Sequence, residues 1–391
     1  MITIFWTSIF FIIYCYFVYP LLLMLVALFY HPKISKAPRE PKVSILVSVW
    51  NEEDVIADKI RNLLSADYPP ERLEVLIGSD GSDDRTNEIV RAVNDPRVRL
   101  VEHDQRRGKM AMINDLIDHA QYDIIVFTDA RQRFAPDTIK NLVANLADPN
   151  VGCVSGELIF SQKEGGTAKG INLYWNYEKF IRAQESRIHS MLGATGAIYA
   201  IRKELFVKIP EHIVLDDVFV PFKIIEQGYR AVFDDKAKAY DEVADSPREE
   251  HRRKTRTLFG NYQIFTMFGH LFIPFKSPIA VQLFSHKLLR VLVPFLMVGV
   301  VISNALLLDE SLYQVFFVLQ GAFYCMAVCG ALLRYKKYGI LKTISRFCYV
   351  PYVFCLLNFS ALVGFFRFVM SKQEVGWEKA RNIGHKDTKT E

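Results

Sequence analysis

Four long apolar runs bracket a charged middle, and they restrict what this chain can fold into more than any motif does. Residues 2–30 carry no charged side chain, and at ~1.5 Å of rise per residue this run exceeds the roughly 20 residues that a bilayer-crossing helix needs. It predicts a retained transmembrane helix over residues 1–30: no basic region precedes the run and no small-residue cleavage pattern follows it. Three more runs come late in the chain, at residues 288–308, 312–333 and 347–370. The first of them holds only Arg290, at its edge, where a long side chain can snorkel. Asp309 and Glu310 make the next loop acidic, whereas Arg334, Lys336, Lys337, Lys342 and Arg346 make the following one basic. With Lys33, Lys36 and Arg39 behind the first run, this distribution places the middle of the chain in the cytosol, in an inner or plasma membrane. The last run fits less easily, since a full crossing would export a basic tail. Pro351, Asn358 and Gly364 offer places for it to turn back instead.

The 391 residues are 51% hydrophobic, which leaves room for one soluble unit of roughly 200 to 250 residues between the spans. Five of the six cysteines lie in apolar runs and Cys153 stands alone, so neither a disulfide framework nor a zinc site is expected. The net charge of +5 is mild, and no nucleic-acid-binding module is present.

From Val43 to Val154, apolar strand-like runs alternate with amphipathic stretches: VSILVSV, LEVLIG, VRLVE, DIIVF and VGCV are separated by helical patterns. Unbroken β-branched strands alternating with helices predict an α/β, Rossmann-like core whose parallel sheet is covered on both faces. Asn51 is placed to cap the first helix, and Pro136 suits the first turn of a later one. In such a sheet the ligand lies outside the carboxyl ends of the strands. The polar clusters fall there in succession: Asn51-Glu52-Glu53, Ser79 to Asp84, His103 to Lys109, and Thr128-Asp129. Singly each would be a cap or a solvated turn; four on one rim indicate a binding crevice. Asp80 beside Gly81 suits an N–H or O–H donor of a nucleoside, and Arg106-Arg107-Gly108-Lys109 suits a diphosphate. No glycine-rich dinucleotide fingerprint or P-loop is present.

The segments VSILVSVWNEEDVI, IGSDGSDDRT, RRGKMAMIN and VFTDA, followed by Gly193 to Ala197, LDDVFVP and RRKTRTLFGNYQ, resemble the family 2 glycosyltransferases. These are nucleotide-sugar enzymes of GT-A fold, and the flanking spans make the membrane-embedded, polysaccharide-forming branch the best match. The resemblance implies a GT-A domain over 41–263, inserted between transmembrane helices, with interfacial helices over 264–286, a transmembrane region over 287–370 and a tail over 371–391. It implies that Glu52 and Asp80 contact the nucleoside and that Lys109 lies near the donor diphosphate or sugar. Asp129 would be the first carboxylate of the D-x-D motif that holds a divalent cation, Mg²⁺ or Mn²⁺. Asp217, beside Asp216, would be the catalytic base of an inverting transfer, and Arg253 and Arg256 would face diphosphate and acceptor. The donor would be a UDP-linked hexose or N-acetylhexosamine, and the acceptor lipid-linked or a growing glycan. No nucleic acid is expected as a partner.

Three departures stand out. Arg131 occupies the second D-x-D position, Thr257 replaces the usual tryptophan, and Arg253 replaces the usual glutamine. They bring long-chain processive synthesis into question, unless Phe259 or Tyr262 supplies the missing sugar platform. They also keep open two rival readings: a nucleotide-binding membrane regulator with reduced catalysis, and a transporter with a regulatory domain.

Overall fold

The computed structural model describes residues 1–161, 166–242, 247–333 and 340–370. Eight strands form one sheet in the order β3-β2-β1-β4-β7-β6-β8-β5. They are β1 (Val43–Val49), β2 (Leu73–Asp80), β3 (Val98–His103), β4 (Ile124–Phe127), β5 (Arg133–Phe134), β6 (Val151–Ser161), β7 (Tyr199–Arg202) and β8 (Arg230–Glu242). The first four are parallel, as the sequence predicts, and β1 is buried along its whole length. Its alternate residues feed two cores. Leu46 joins Leu76, Met112 and Leu116 on one face, while Ile45 and Val47 join Ile56, Ile60 and Leu63 on the other.

The sheet is mixed and not wholly parallel. β7 runs antiparallel to both β4 and β6, and β5 antiparallel to β8. Tyr199, Ala200 and Ile201 of β7 are buried, and burial on both faces is shared by parallel and antiparallel central strands. Nor does Asn51 cap a helix. The first domain helix begins only at Ile56, without a side-chain cap, and Asn51 instead adopts a left-handed backbone with φ 54°. Pro136 likewise precedes the helix Thr138–Asn145 without entering it.

Among the described residues, four helices are long and apolar enough to cross a membrane: Ile2–Phe29, Ala280–Ala305, Ser311–Leu333 and Phe347–Val369. The second starts well ahead of the expected Leu288. The last belongs to the helix Ile340–Val369, which continues through Pro351, Asn358 and Gly364, so it makes no re-entrant turn; the basic tail lies outside the described residues. Arg290 does not snorkel. It pairs with Glu178 and lies over the rings of Tyr16 and Tyr177, because a partnered guanidinium inside the bundle avoids the desolvation cost of a lone charge.

The region expected to form two interfacial helices over 264–286 is built differently. Ile264, Phe268 and Leu271 pack into the main core, where Phe268 meets Phe219 and Phe222 edge-on. Ile273 and Phe275 are exposed at the following turn, leaving a narrow apolar edge and not two helices lying flat.

The last two spans meet closely at Gly330, where an added Cβ would lie 2.3 Å from the Cys348 carbonyl oxygen. Backbone cannot yield as a flexible side chain does. A Gly330→Val substitution is therefore expected to cost ~1–3 kcal/mol by overpacking, read as a lowered thermal midpoint of the detergent-solubilised protein.

Candidate active site

The rim predicted from the sequence is continuous in space, because β1 to β4 are parallel neighbours whose carboxyl ends emerge together. The sheet order reverses direction at β1, with β2 on one side and β4 on the other, so a crevice opens there. The loops after β1 and β2 are clasped to each other. Asn51 N–H donates to Ser82 Oγ at 3.1 Å, and the Asn51 side chain exchanges hydrogen bonds with Asp83. The Glu53 amide donates to Asp84, which also accepts from the Thr86 amide. Asn51, Ser82 and Asp84 thus shape the crevice wall.

Asp80 is wholly buried. Its carboxylate accepts from the amides of Arg107 at 2.7 Å and Gly108 at 2.8 Å, with His103 Nδ1 at 3.4 Å. The acid expected to meet the nucleoside therefore holds the basic loop in place. Gly81 makes this possible: its φ is +66°, and a Cβ there would sit 2.7 Å from the Arg106 amide nitrogen. Asp80→Ala would remove two hydrogen bonds that part-buried N–H groups make to a charged acceptor, at roughly 1.5–3 kcal/mol each. Faster hydrogen exchange at Arg107 and Gly108 is the expected result.

On that loop the Arg106 guanidinium lies 3.7 Å from the ring centroid of Trp50. Gly108, with φ 102°, turns the chain into the helix Lys109–His119. Lys109 opens that helix and points inward. Its Nζ lies 3.1 Å from Asp129 Oδ1 and 3.4 Å from Asp216 Oδ1, bridging the end of β4 to the helix Asp216–Glu226. Burial works against this ammonium, but Asp129 and Asp216 outweigh it and hold the pKa above the ordinary lysine value.

The acid pair starts its helix, as the local pattern suggests, and the two side chains have different surroundings. Asp216 is buried between Lys109 and the Tyr199 hydroxyl, which donates to Oδ2 at 3.3 Å. Tyr199 is in turn stacked on Phe127 of β4 at 4.3 Å. Asp217 is partly exposed to the crevice. The Gly193 to Ala197 loop wraps it: the Gly196 amide donates to Oδ2 at 3.3 Å, and the Ala194 amide to the Asp217 carbonyl at 2.7 Å. Burial first, and Asp216 second, push the Asp217 carboxyl up to about 6. A carboxyl poised there can take a proton near neutrality.

Glu52 is buried and pairs with Arg131, whose Nη2 lies 3.1 Å away. Arg256 faces Asp216, Asp129 and Asp217, while Lys254 on the same helix lies over Trp175 at 4.8 Å and Arg252 is exposed. The Arg253 side chain lies outside the described residues. Phe259 and Tyr262 are buried against Phe365 and Phe368 of the last span, so neither replaces the tryptophan missing at Thr257.

Several groups here had no signal in the sequence. Lys59 is fully buried under the β4 loop, donating to Thr128 Oγ1 at 2.8 Å and the Gln132 carbonyl at 2.6 Å. Burial lowers its pKa to about 7. Arg182 hydrogen-bonds Thr195 in the loop that holds Asp217. Behind it, Glu185 accepts from Tyr19 of the first span and lies 2.8 Å from His286 of the second, tying the site to the apolar helices. The only hint was that GATGA, a run of small residues, ends where β7 begins.

The residues at Asp129 do not form a protein cage for a cation. Among the described residues no three His, Cys, Asp or Glu side chains are grouped for a metal. The acid expected two positions on is a guanidinium, and an ammonium already lies against Asp129. This donor set does not suit Mg²⁺ or Mn²⁺, which favour carboxylate, carbonyl and water oxygens.

A mixed sheet with polar loops gathered on one rim and a poised acid across the crevice is the arrangement of a GT-A domain, and residues 44–209 match the family model "Glycosyl transferase family 2". The chain carries a family 2 glycosyltransferase domain and is a glycosyltransferase acting on a nucleotide-sugar donor. Similar proteins include the probable glycosyltransferase YdaM of Bacillus subtilis, 26% identical over 297 residues, covering 72% of this chain and 70% of YdaM. Another is the poly-beta-1,6-N-acetyl-D-glucosamine synthase of Staphylococcus aureus, 23% identical over 228 residues. That alignment covers 57% of this chain and 55% of the synthase, so the chain spans about half the synthase's length. The mannosyltransferase PcManGT of Pyrobaculum calidifontis, solved with GDP-Man and Mn2+, shares the fold with a TM-score of 0.72 and 24% identity, over 95% of this chain and all of that one.

Proposed function

We propose that this protein is a membrane-held, inverting glycosyltransferase that moves a hexose or N-acetylhexosamine from a UDP-sugar to a lipid-linked or growing glycan acceptor. Its working unit is the GT-A domain of residues 41–263, on the cytosolic side of an inner or plasma membrane. The observation that carries this reading is the contrast within the acid pair: Asp216 is fastened to Lys109 and Tyr199, whereas Asp217 is open to the crevice and raised to about 6. Asp217 takes the proton of the acceptor hydroxyl as its oxygen bonds to the anomeric carbon. The bond from that carbon to the diphosphate breaks on the opposite side. Asp216 positions Lys109, and Lys109 and Arg256 meet the charge that develops on the leaving diphosphate. Glu52 lines the nucleoside side through its pairing with Arg131, and Asp80 acts by shaping the loop. Arg253 is assigned with Arg256 from the motif alone.

The fastening of Glu185 to Tyr19 and His286 favours an acceptor met at the membrane surface. The loss of a stacking platform at 257 favours transfer of one or a few sugars over long-chain synthesis. The test is to offer the full chain, in nanodiscs with membrane lipid extract, a panel of labelled UDP- and GDP-sugars and to size the products. Transfer of one UDP-sugar to a lipid-extractable product is expected. Turnover of GDP-sugars alone would overturn the donor assignment, and no transfer to any lipid or glycan would overturn the reading of the acceptor.

A further inference from the structure

The donor site carries its positive charge on side chains. Exchanging a carboxylate for a guanidinium at position 131 changes the local charge by as much as a divalent cation brings. Arg131 is held ready: Ala130 before it is buried, and the Gln132 side chain after it donates to Asp241 at 2.7 Å while its carbonyl accepts from Lys59. Only Nη2 of its guanidinium is engaged, with Glu52, and its remaining N–H groups have no partner among the described residues. Arginine offers a planar fork that matches phosphate oxygens. Lys109 Nζ meanwhile lies where an ion held by Asp129 would meet repulsion, and it bridges two acids in the manner of such an ion.

Resting on the glycosyltransferase reading above, we propose that this enzyme binds and turns over its donor without a divalent cation, with Arg131 and Lys109 holding the diphosphate that a D-x-D-bound ion would otherwise hold. The electron pair of the breaking sugar–phosphate bond stays on the diphosphate, whose added charge these two cations and Arg256 compensate. No proton or co-reactant beyond the acceptor is required.

The experiment measures UDP and GDP binding to the full chain in nanodiscs by calorimetry, in EDTA and in Mn²⁺, with electron paramagnetic resonance reporting bound Mn²⁺. Affinity within about threefold across the two conditions is expected, with no nucleotide-dependent Mn²⁺ signal. Arg131→Asp restores the acid pair and should bind the nucleotide at least tenfold more weakly in EDTA, with Mn²⁺ recovering the affinity and giving a bound-ion signal. Arg131→Gln should weaken binding in both conditions without any response to Mn²⁺; unchanged affinity there would remove Arg131 from the site and overturn the inference. Thermal midpoints and size exclusion establish that each variant is folded. Parent protein that binds tenfold more tightly in Mn²⁺ than in EDTA overturns the inference and leaves the glycosyltransferase reading intact. Parent protein that binds neither nucleotide in either condition overturns both.

Discussion

An Asp217→Asn protein is expected to transfer sugar ~10²- to 10⁴-fold more slowly than the parent and to bind nucleoside diphosphate within about threefold of it. The amide keeps the shape of the carboxylate and cannot take the acceptor proton, so the loss falls on the chemical step. The positions of the two acids separate this effect from general damage. Asp217 meets the backbone of the Gly193 to Ala197 loop and is otherwise open to the crevice, whereas Asp216 is bound up with Lys109 and Tyr199. Asp216→Asn should therefore disturb donor binding as well, through Lys109. Labelled-donor turnover alongside calorimetry reads both quantities. An Asp217→Asn enzyme with parental turnover would remove Asp217 as the base and place the proton acceptor elsewhere in the crevice.

The second large effect is on pH dependence. Burial raises the Asp217 carboxyl to about 6, with Asp216 adding to the rise, while Lys109, Arg182 and Lys287 pull it down and Arg256 faces it from the neighbouring helix. The base works only when ionised, so activity is present above this value and is lost as the pH falls through it. Turnover is expected to fall about tenfold per pH unit below about 6 and to stay level towards pH 8. Lys109→Met removes one of the cations that favour the ionised form, so the acid limb should move upward while donor affinity falls. A pH profile of kcat/KM on the parent and Lys109→Met tests this. A limb that stays in place in Lys109→Met would show that the titrating group is not Asp217.

Much of the scaffold was legible because it is written in local patterns. Charge-free runs long enough to cross a bilayer, β-branched strands and an acid pair opening a helix all express free energies of neighbouring residues. The four rim clusters could be placed together because parallel strands necessarily present their carboxyl ends on one side. The direction of β7 was not legible, since burial on both faces looks the same either way. The helix start at Ile56 was misplaced because Asn51, a good cap by type, is drawn across to Asp83 on the next loop.

The sequence by itself determined the α/β architecture flanked by long apolar helices, the rim and the identity of the acids on it. Only the tertiary structure decided what each of them touches. Asp80 is used to hold a loop, Glu52 pairs with one nitrogen of Arg131, Lys109 bridges an acid at the end of β4 and an acid opening a helix, and Asp217 is partly open to the crevice. Lys59, Arg182 and Glu185 entered the picture only in three dimensions. The physical reason is one of range. The patterns that select helices and strands act over a few residues of chain, whereas the charge state and task of a carboxylate depend on partners within ~4–6 Å. The fold brings those partners in from as far away as Tyr19 and His286.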